Sequence, residues 1–205
     1  MADYLKKLLS LSSPSLCGSR PSSPKAFDKV HEKLAAELVE ILRVKNGFYA
    51  FESALHVLPS HCVTDAMDIE RWNSRELWKG EYSEEVAKYL FFAEDIFGEQ
   101  FGLCADSVVR FDPETAGTEV FADSPTDWAE RILRDYEVET GYPIAAEYQE
   151  KKGPLIPGQR LEPKIPFILG EDTTLTISMR WMPLRQCGSG LTSGDKSRTC
   201  PQGQQ

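Results

Sequence analysis

The sequence predicts an α+β fold, a single domain in which an antiparallel meander sheet is packed by N-terminal and C-terminal helices. Three observations favour this fold. Short apolar segments separated by turn residues fill residues 91–128, a stripe of apolar residues at helical spacing precedes them, and a well-capped helix follows them. With 205 residues and a mass of 23.1 kDa, the chain suits one domain with appendages.

Residues 91–128 read as three tightly connected strands that run into a helix. The chain reverses at Gly98 within the first hairpin, and the run DPETAG reverses it again before the last strand. Connections this short join antiparallel neighbours, because parallel strands need a crossover of about a dozen residues or more. The apolar segments of this meander are residues 90–93, 101–103, 108–111 and 118–122.

Helix signals lie on both sides of the meander. Ser23 is a suitable N-cap and Pro24 a suitable first helical residue, and Asn46 ends the helix that they predict. After the meander, Ser124 and Pro125 repeat the same pair of signals. The apolar stripe of the first helix comprises Phe27, Val30, Leu34, Leu38, Ile41 and Leu42, and that of the second comprises Trp128, Ile132, Leu133 and Tyr136.

The remaining segments of the domain give shorter signals. FYAF and ALHVL predict short strands that Pro59 closes, and residues 65–82 predict short helical turns. A further helix is expected after Gly141 and ends at Gly153. Prolines then make the chain extended, so KIPFIL can form at best a strand at a sheet edge. Trp72, Trp78 and Trp128 are expected to be core anchors.

Three regions follow from composition. Residues 1–22 predict a mobile leader, because residues 10–23 are rich in Ser, Pro and Gly and have little to bury. Residues 23–170 form the domain. Residues 171–205 contain one aromatic residue and no sustained apolar period, so they cannot build a core of their own. The apolar stretch among the first residues is interrupted by serines before it reaches the length of a signal peptide. We therefore expect neither a secretory signal nor a membrane span.

The chain is acidic, and its acidity is local. The net charge is -9, which disfavours nucleic acid and anionic membranes as partners and favours basic ones. Residues 94–150 contain 15 acidic residues and three arginines, so the net charge of this segment is more negative than that of the whole chain. A solvated surface is the simpler explanation of such a run. The five cysteines are odd in number and lack CxxC spacing, which favours a reduced, cytoplasmic protein.

Two groups of residues could carry chemistry. Glu94, Asp95 and Glu99 could act as paired carboxylates or bind Mg²⁺, but they flank a glycine-centred turn, where acidic residues are ordinary. His56 and the His61–Cys62 pair invite a zinc interpretation, yet no distant second pair of ligands exists. Nucleotide, serine-hydrolase and zinc-protease motifs are absent from the sequence. We therefore expect no catalytic site, no metal and no cofactor.

A family resemblance rests on five segments in a common order. They are NGFYAFESALHVLP, WNSRELW, FFAEDIFGEQF with its FDPET and SPTDW continuation, TGYPIAAEYQEKKGPLIPG and KIPFILG. Together they cover residues 46–170. In this order they resemble the SUKH superfamily, the group of Smi/Knr-type cell-wall regulators and bacterial immunity proteins.

The resemblance implies a non-enzymatic binding fold. Many bacterial members neutralise toxins, often nucleases, by direct binding, so the expected function is that of a cytoplasmic immunity protein whose partner is a basic toxin domain. The second hypothesis is a general scaffold of the Smi/Knr type, and the third is a hydrolase. The acidic turns of the meander supply the candidate partner-binding residues, which are Glu94, Asp95, Glu99, Asp112 and Glu114.

The resemblance also bears on the tail. In family members the KIPF motif is usually followed by a segment similar to DNLYAVDAA, whereas here LTISMRWMPL follows. Codons for the present residues can be chosen so that another frame reads DNLYAVDAA. Residues 171–205 are therefore expected to be either an out-of-frame extension or a divergent disordered tail.

Overall fold

The structure is a computed structural model that describes residues 3–21, 27, 30–62, 67–163 and 175–179. Its helices are α1 (Asp3–Leu11), α2 (Glu32–Val44), α3 (Ile69–Trp72), α4 (Pro125–Arg134), α5 (Tyr136–Thr140) and α6 (Tyr142–Lys152). Its strands are β1 (Phe48–Ala50), β2 (Leu55–Val57), β3 (Leu90–Asp95), β4 (Gln100–Leu103), β5 (Val108–Phe111), β6 (Thr118–Ala122), β7 (Gln159–Pro163) and β8 (Leu175–Met179). Single 3₁₀ turns occupy Lys79–Glu81 and Val86–Lys88.

The main sheet is an antiparallel meander, as the sequence predicts. Six strands pair in the order β1-β2-β3-β4-β5-β6, and helices flank them in one α+β domain. The sheet is larger than expected. Residues 90–122 supply four strands, one on each of the four apolar segments, and β3 and β4 form the first hairpin. The short strands β1 and β2 then join the meander on its other side.

The structure confirms the N-terminus that the sequence predicts for helix α4. The Ser124 hydroxyl accepts a hydrogen bond from the Asp127 amide at 3.1 Å, and Pro125 is the first helical residue. Trp128 and Ile132 are fully buried. Because the Trp128 ring meets Phe92 and Phe101 edge-on, α4 closes the core over the centre of the sheet. The expectation that Trp72, Trp78 and Trp128 anchor the core is confirmed.

Helix α2 begins later than predicted. Its first residue is Glu32, and His31 caps it by accepting a hydrogen bond from the Lys33 amide at 3.2 Å. The expected cap, Ser23, and the following Pro24 lie outside the described residues. The predicted stripe is nevertheless buried from Leu34 onwards, since its spacing places it on one helix face: Leu34, Leu38, Ile41 and Leu42.

Residues 3–17, which fall within the predicted mobile leader of residues 1–22, pack on the domain. Leucines three and four residues apart make α1 amphipathic, and they enter the main core: Leu5, Leu8 and Leu9. After α1, the amides of Ser13, Leu16 and Cys17 donate to backbone carbonyls of residues 46–49 at 2.7 to 3.0 Å. The Ser-rich stretch thus lies beside β1 and shields that sheet edge.

Lys45 joins α1 to the sheet. Its ammonium donates to the carbonyls of Leu9, Ser12 and Ser13 at 2.5, 3.0 and 2.9 Å. The last carbonyls of a helix have no partner within the helix, so a cation at this position satisfies them and favours the negative helix end. Composition gave no indication of this contact, because the lysine lies more than thirty residues away in sequence.

The turn between β1 and β2 has an uncommon backbone. Phe51, Glu52 and Ser53 have φ of 50°, 52° and 74°, in the left-handed region that L-residues avoid. Contacts from the C-terminal helices hold it: Gln149 donates to the Glu52 carbonyl at 2.8 Å, and the Tyr136 ring stacks on Phe51. The helices beyond the meander therefore fix the conformation of this turn.

The described residues beyond α6 form a second, two-stranded sheet. Strand β7 pairs antiparallel with β8, which lies within the tail predicted to be disordered or out of frame. Residues 175–179 therefore have regular backbone pairing. The KIPF motif and residues 180–205 lie outside the described residues. No helix among those described is long and apolar enough to cross a membrane.

Candidate functional site

Glu94 is the centre of a buried polar row that crosses three strands. It lies on β3, directly opposite His56 on β2 and Gln100 on β4. His56 Nδ1 is 3.0 Å from Glu94 Oε1, and Gln100 Nε2 donates to Glu94 Oε2 at 3.1 Å. Trp72 extends the row, because its indole N–H donates to Gln100 Oε1 at 2.7 Å. All four side chains are buried.

Arg160 supplies the charge that balances Glu94. Its Nη2 donates to Glu94 Oε1 at 2.6 Å, and its Nη1 donates to the Gln159 carbonyl at 2.7 Å. The side chain is 1 % exposed, so this is an ion pair almost without water. Its Nε has no hydrogen-bond partner within the described part of the chain. Strand β7 is thus attached to the sheet through a buried charge pair.

The charges of this network fix the protonation states. Burial on its own would raise the pKa of Glu94, but the Arg160 guanidinium, with His56 and Gln100, lowers it to about 2. Burial also lowers the pKa of His56, and the hydrogen bond to Glu94 only partly opposes this effect. At neutral pH, Glu94 is therefore a carboxylate and His56 is a neutral imidazole.

These protonation states also set the tautomer of His56. A carboxylate only accepts hydrogen bonds, so the ring nitrogen that faces Glu94, Nδ1, carries the proton. The other nitrogen, Nε2, is then an acceptor with a free lone pair. In the residues that the structure describes, nothing donates to it.

A cavity of about 170 Å³ lies beside this network. Its polar wall includes His56 and Glu94, and apolar and aromatic side chains form most of the remainder: Leu16, Leu58, Met67 and Trp72. Tyr49 closes one side. Its ring stacks on His56 with 4.4 Å between centroids, and its hydroxyl accepts a hydrogen bond from the Gly158 amide at 3.0 Å.

A second, acidic group lies at the surface where the meander strands turn. Glu99, Asp112 and Glu119 line one depression together with Arg110. Burial raises the pKa of Glu99 and the Arg110 charge opposes this, while Asp112 and Glu119 raise it further. The three carboxylates are therefore close enough to repel one another.

Arg110 connects this depression to charges inside the domain. It forms ion pairs with Glu99 and with Glu139, the latter at 2.9 Å, and its Nη2 is 3.8 Å from Asp95. Arg131 contributes a second cation to Glu139 at 2.9 Å. Burial and the neighbouring Glu99 charge raise the pKa of Asp95 to about 8, so one carboxyl of the cluster carries a proton near neutral pH.

The five predicted partner-binding residues do not share one surface. Glu94 and Asp95 are 4 % and 1 % exposed, and their side-chain oxygens accept internal hydrogen bonds. Glu99 is half-buried against Arg110. Asp112 is half-buried and accepts from the Glu114 amide at 2.8 Å, and the Glu114 side chain is exposed.

Cys17 and Cys62 form a disulfide with 5.7 Å between their Cα atoms, which differs from the reduced state expected from the cysteine count. Folding brings the two residues together, since the edge contacts of residues 13–17 place Cys17 beside the β2–α3 connection. His61 lies 3.6 Å from Asp68. Among the described residues, no group of three or more His, Cys, Asp or Glu side chains is arranged to hold a metal ion.

Sequence reasoning missed the main partners of Glu94. His56 was recognised as a strand residue, and its register opposite Glu94 becomes visible only once β2 and β3 pair. Arg160 lies in none of the segments that carry the resemblance, and Tyr49 was given no role of its own. The one available signal was Arg160 itself, an arginine in a proline-rich connection.

No family model, curated protein or solved structure matches this chain.

Proposed function

We propose that this protein is a non-enzymatic binding domain whose acidic surface receives a basic protein partner, and that it acts as an immunity protein that neutralises a toxin. The observation that carries the proposal is the depression formed by Glu99, Asp112 and Glu119. Carboxylates that repel one another are stabilised when a lysine or arginine of a partner enters between them.

The surroundings of the depression suit a protein interface. Strand β6 is the last strand of the sheet, and Glu119 and Val120 on it are exposed, Val120 to 67 %. The net charge of -9 accelerates association with a basic domain, and a nuclease that binds nucleic acid is such a domain. The resemblance to SUKH proteins supports the same class of function.

The buried carboxylates weigh against the hydrolase alternative. Glu94 is fully engaged by Arg160, His56 and Gln100, and Asp95 accepts the amides of Phe97 and Glu99 at 2.9 Å each. Groups held in this way contribute to folding. A general scaffold of the Smi/Knr type remains the second candidate, because an acidic edge suits any basic partner.

Location in the cytoplasm belongs to the same proposal. The Cys17–Cys62 disulfide is the observation against it, because disulfides persist mainly in oxidising compartments. Counting free thiols in protein trapped directly from living cells decides the point, since a cytoplasmic protein should carry five of them.

Association kinetics with the product of a neighbouring toxin gene test the function. The charge reversals Glu114→Lys and Glu119→Lys should each slow association several-fold at low salt and reduce its salt dependence, because they remove steering charge. Glu150→Lys on α6 makes the same change of charge elsewhere and serves as the matched control. Equal association rates for Glu119→Lys and Glu150→Lys would place the interface outside β6.

Co-expression separates the immunity function from a scaffold. Cells that produce the toxin should survive when they also produce this protein, because direct neutralisation needs no other component. A scaffold should give no protection. Loss of protection in Glu119→Lys but not in Glu150→Lys would connect survival to the acidic depression.

A further inference from the structure

The cavity beside His56 differs from the acidic depression in chemistry and in its residues. It is bounded mainly by apolar and aromatic side chains, and its polar groups belong to His56, Glu94 and Tyr49. Pockets with this composition, an apolar body and a few fixed polar groups, are typical sites for small ligands. A volume of about 170 Å³ is enough for a single aromatic ring, since an apolar cavity of about 150 Å³ binds benzene.

The polar wall determines which polar group a ligand should carry. His56 directs its one proton to Glu94, which leaves Nε2 as an acceptor without a donor in the described residues. Glu94 Oε1 already accepts from His56 and Arg160, and Glu94 Oε2 accepts from Gln100. His56 Nε2 therefore needs a donor from the ligand, which a hydroxyl supplies and an ether or a carboxylate does not.

The wall is also rigid. Tyr49 stacks on the His56 ring and is fixed by the Gly158 amide, and Trp72 is fixed by Gln100. A ligand that enters meets side chains that are already ordered, so it loses little affinity to rearrangement of the site.

We infer that this cavity binds an aromatic ring that carries one hydrogen-bond donor, with the donor bonded to His56 Nε2. Phenol is the simplest member of this class. The same group occurs in the tyrosine side chain, so the natural source is either a free phenolic compound or a tyrosine of a protein partner. This inference does not depend on the toxin-binding proposal, which concerns a different surface.

Three probes of equal ring size test the inference on the unmodified full-length protein. Phenol offers a donor, anisole replaces the donor with a methyl ether, and benzoate replaces it with a negative charge. Titration followed by amide chemical shifts should show saturable binding of phenol on the order of 1 mM. Anisole and benzoate should bind at least tenfold more weakly, because neither can donate to Nε2. Equal binding of phenol and anisole would overturn the inference.

Variants locate the site. Met67→Trp fills the cavity from a half-buried position and should abolish phenol binding. His56→Phe keeps a ring against Tyr49 but removes the acceptor, so phenol and anisole should bind it alike. Val138→Ala changes an exposed valine on α5 and should bind phenol as the unmodified protein does. Undiminished binding by folded Met67→Trp would show that phenol binds elsewhere.

N-acetyltyrosine amide distinguishes the two sources. If a partner's tyrosine is the natural occupant, this compound should bind as tightly as phenol and shift the same amides. If only phenol binds, the opening admits a free small molecule and excludes a tyrosine attached to a backbone. Failure of both phenol and the amide to bind would contradict the inference itself.

Discussion

Arg160 and Glu94 form a buried ion pair between residues that are 66 positions apart in the chain. The pair connects β7, which follows α6 in the chain, to β3 at the centre of the main sheet. Both side chains are buried, so each charge depends on the other for its stabilisation.

Removal of Arg160 should destabilise the domain strongly. Arg160→Met leaves the Glu94 carboxylate buried without its cation, and we expect a loss of about 3 to 5 kcal/mol in the free energy of unfolding. Adding Glu94→Gln should recover part of that loss, because the uncompensated charge is then absent. Urea denaturation of both single variants and the double variant measures the coupling. Additive effects would mean that the two side chains do not interact.

Acid should weaken the domain through Glu94. Its pKa is about 2 in the folded protein and 4.5 without the fold, so folding favours the carboxylate. The resulting stability is fully present above pH 4.5 and is lost as the pH falls towards 2. Glu94→Gln should have a smaller slope of unfolding free energy over this range. An unchanged slope would assign the acid sensitivity to other carboxylates.

Asp95 should produce the opposite dependence. Its pKa rises from 3.8 to about 8 in the folded protein, so folding favours the protonated form. Its contribution is fully present below pH 3.8 and disappears as the pH rises through 8. Asp95→Asn still offers an oxygen to the Phe97 and Glu99 amides and cannot ionise. Between pH 7 and 9 its stability should therefore fall less than that of the unmodified protein.

Lys45 should control the attachment of α1. Lys45→Met removes the ammonium that donates to the carbonyls of Leu9, Ser12 and Ser13, which should cost about 1 to 3 kcal/mol. Hydrogen exchange of the α1 amides should accelerate, while exchange in α4 should change less. Lys33→Met at an exposed position of α2 is the control. A leader that is mobile in solution would exchange rapidly in all three proteins.

The disulfide should stabilise the folded domain. It connects residues 45 positions apart, and closure of a loop of this size restricts the unfolded chain by about 3 to 4 kcal/mol. Cys17→Ser should therefore unfold at lower urea concentration than the oxidised protein and at nearly the same concentration as the reduced protein. Cys104→Ser, which alters a cysteine outside the bond, should retain the difference between the two redox states.

The sequence by itself determined the elements whose signals are local. Turn residues and alternating apolar positions predicted the antiparallel meander, and Ser124 with Pro125 predicted α4, because both depend on residues a few positions apart. The burial of the three core tryptophans was predicted from the size of their side chains. The start of α2 was placed incorrectly because Ser23 and Pro24 gave a local signal that His31 supersedes.

Tertiary structure decided everything that depends on contacts between distant segments. The row of His56, Glu94 and Gln100 exists only in the register of three paired strands, and Arg160 reaches it from β7. Burial then gave the acidic residues different roles, since Glu94 is a buried anion within the structure while Glu119 is exposed to solvent. Sequence shows that a side chain can be charged, but desolvation and the neighbours that folding brings close decide what that charge does.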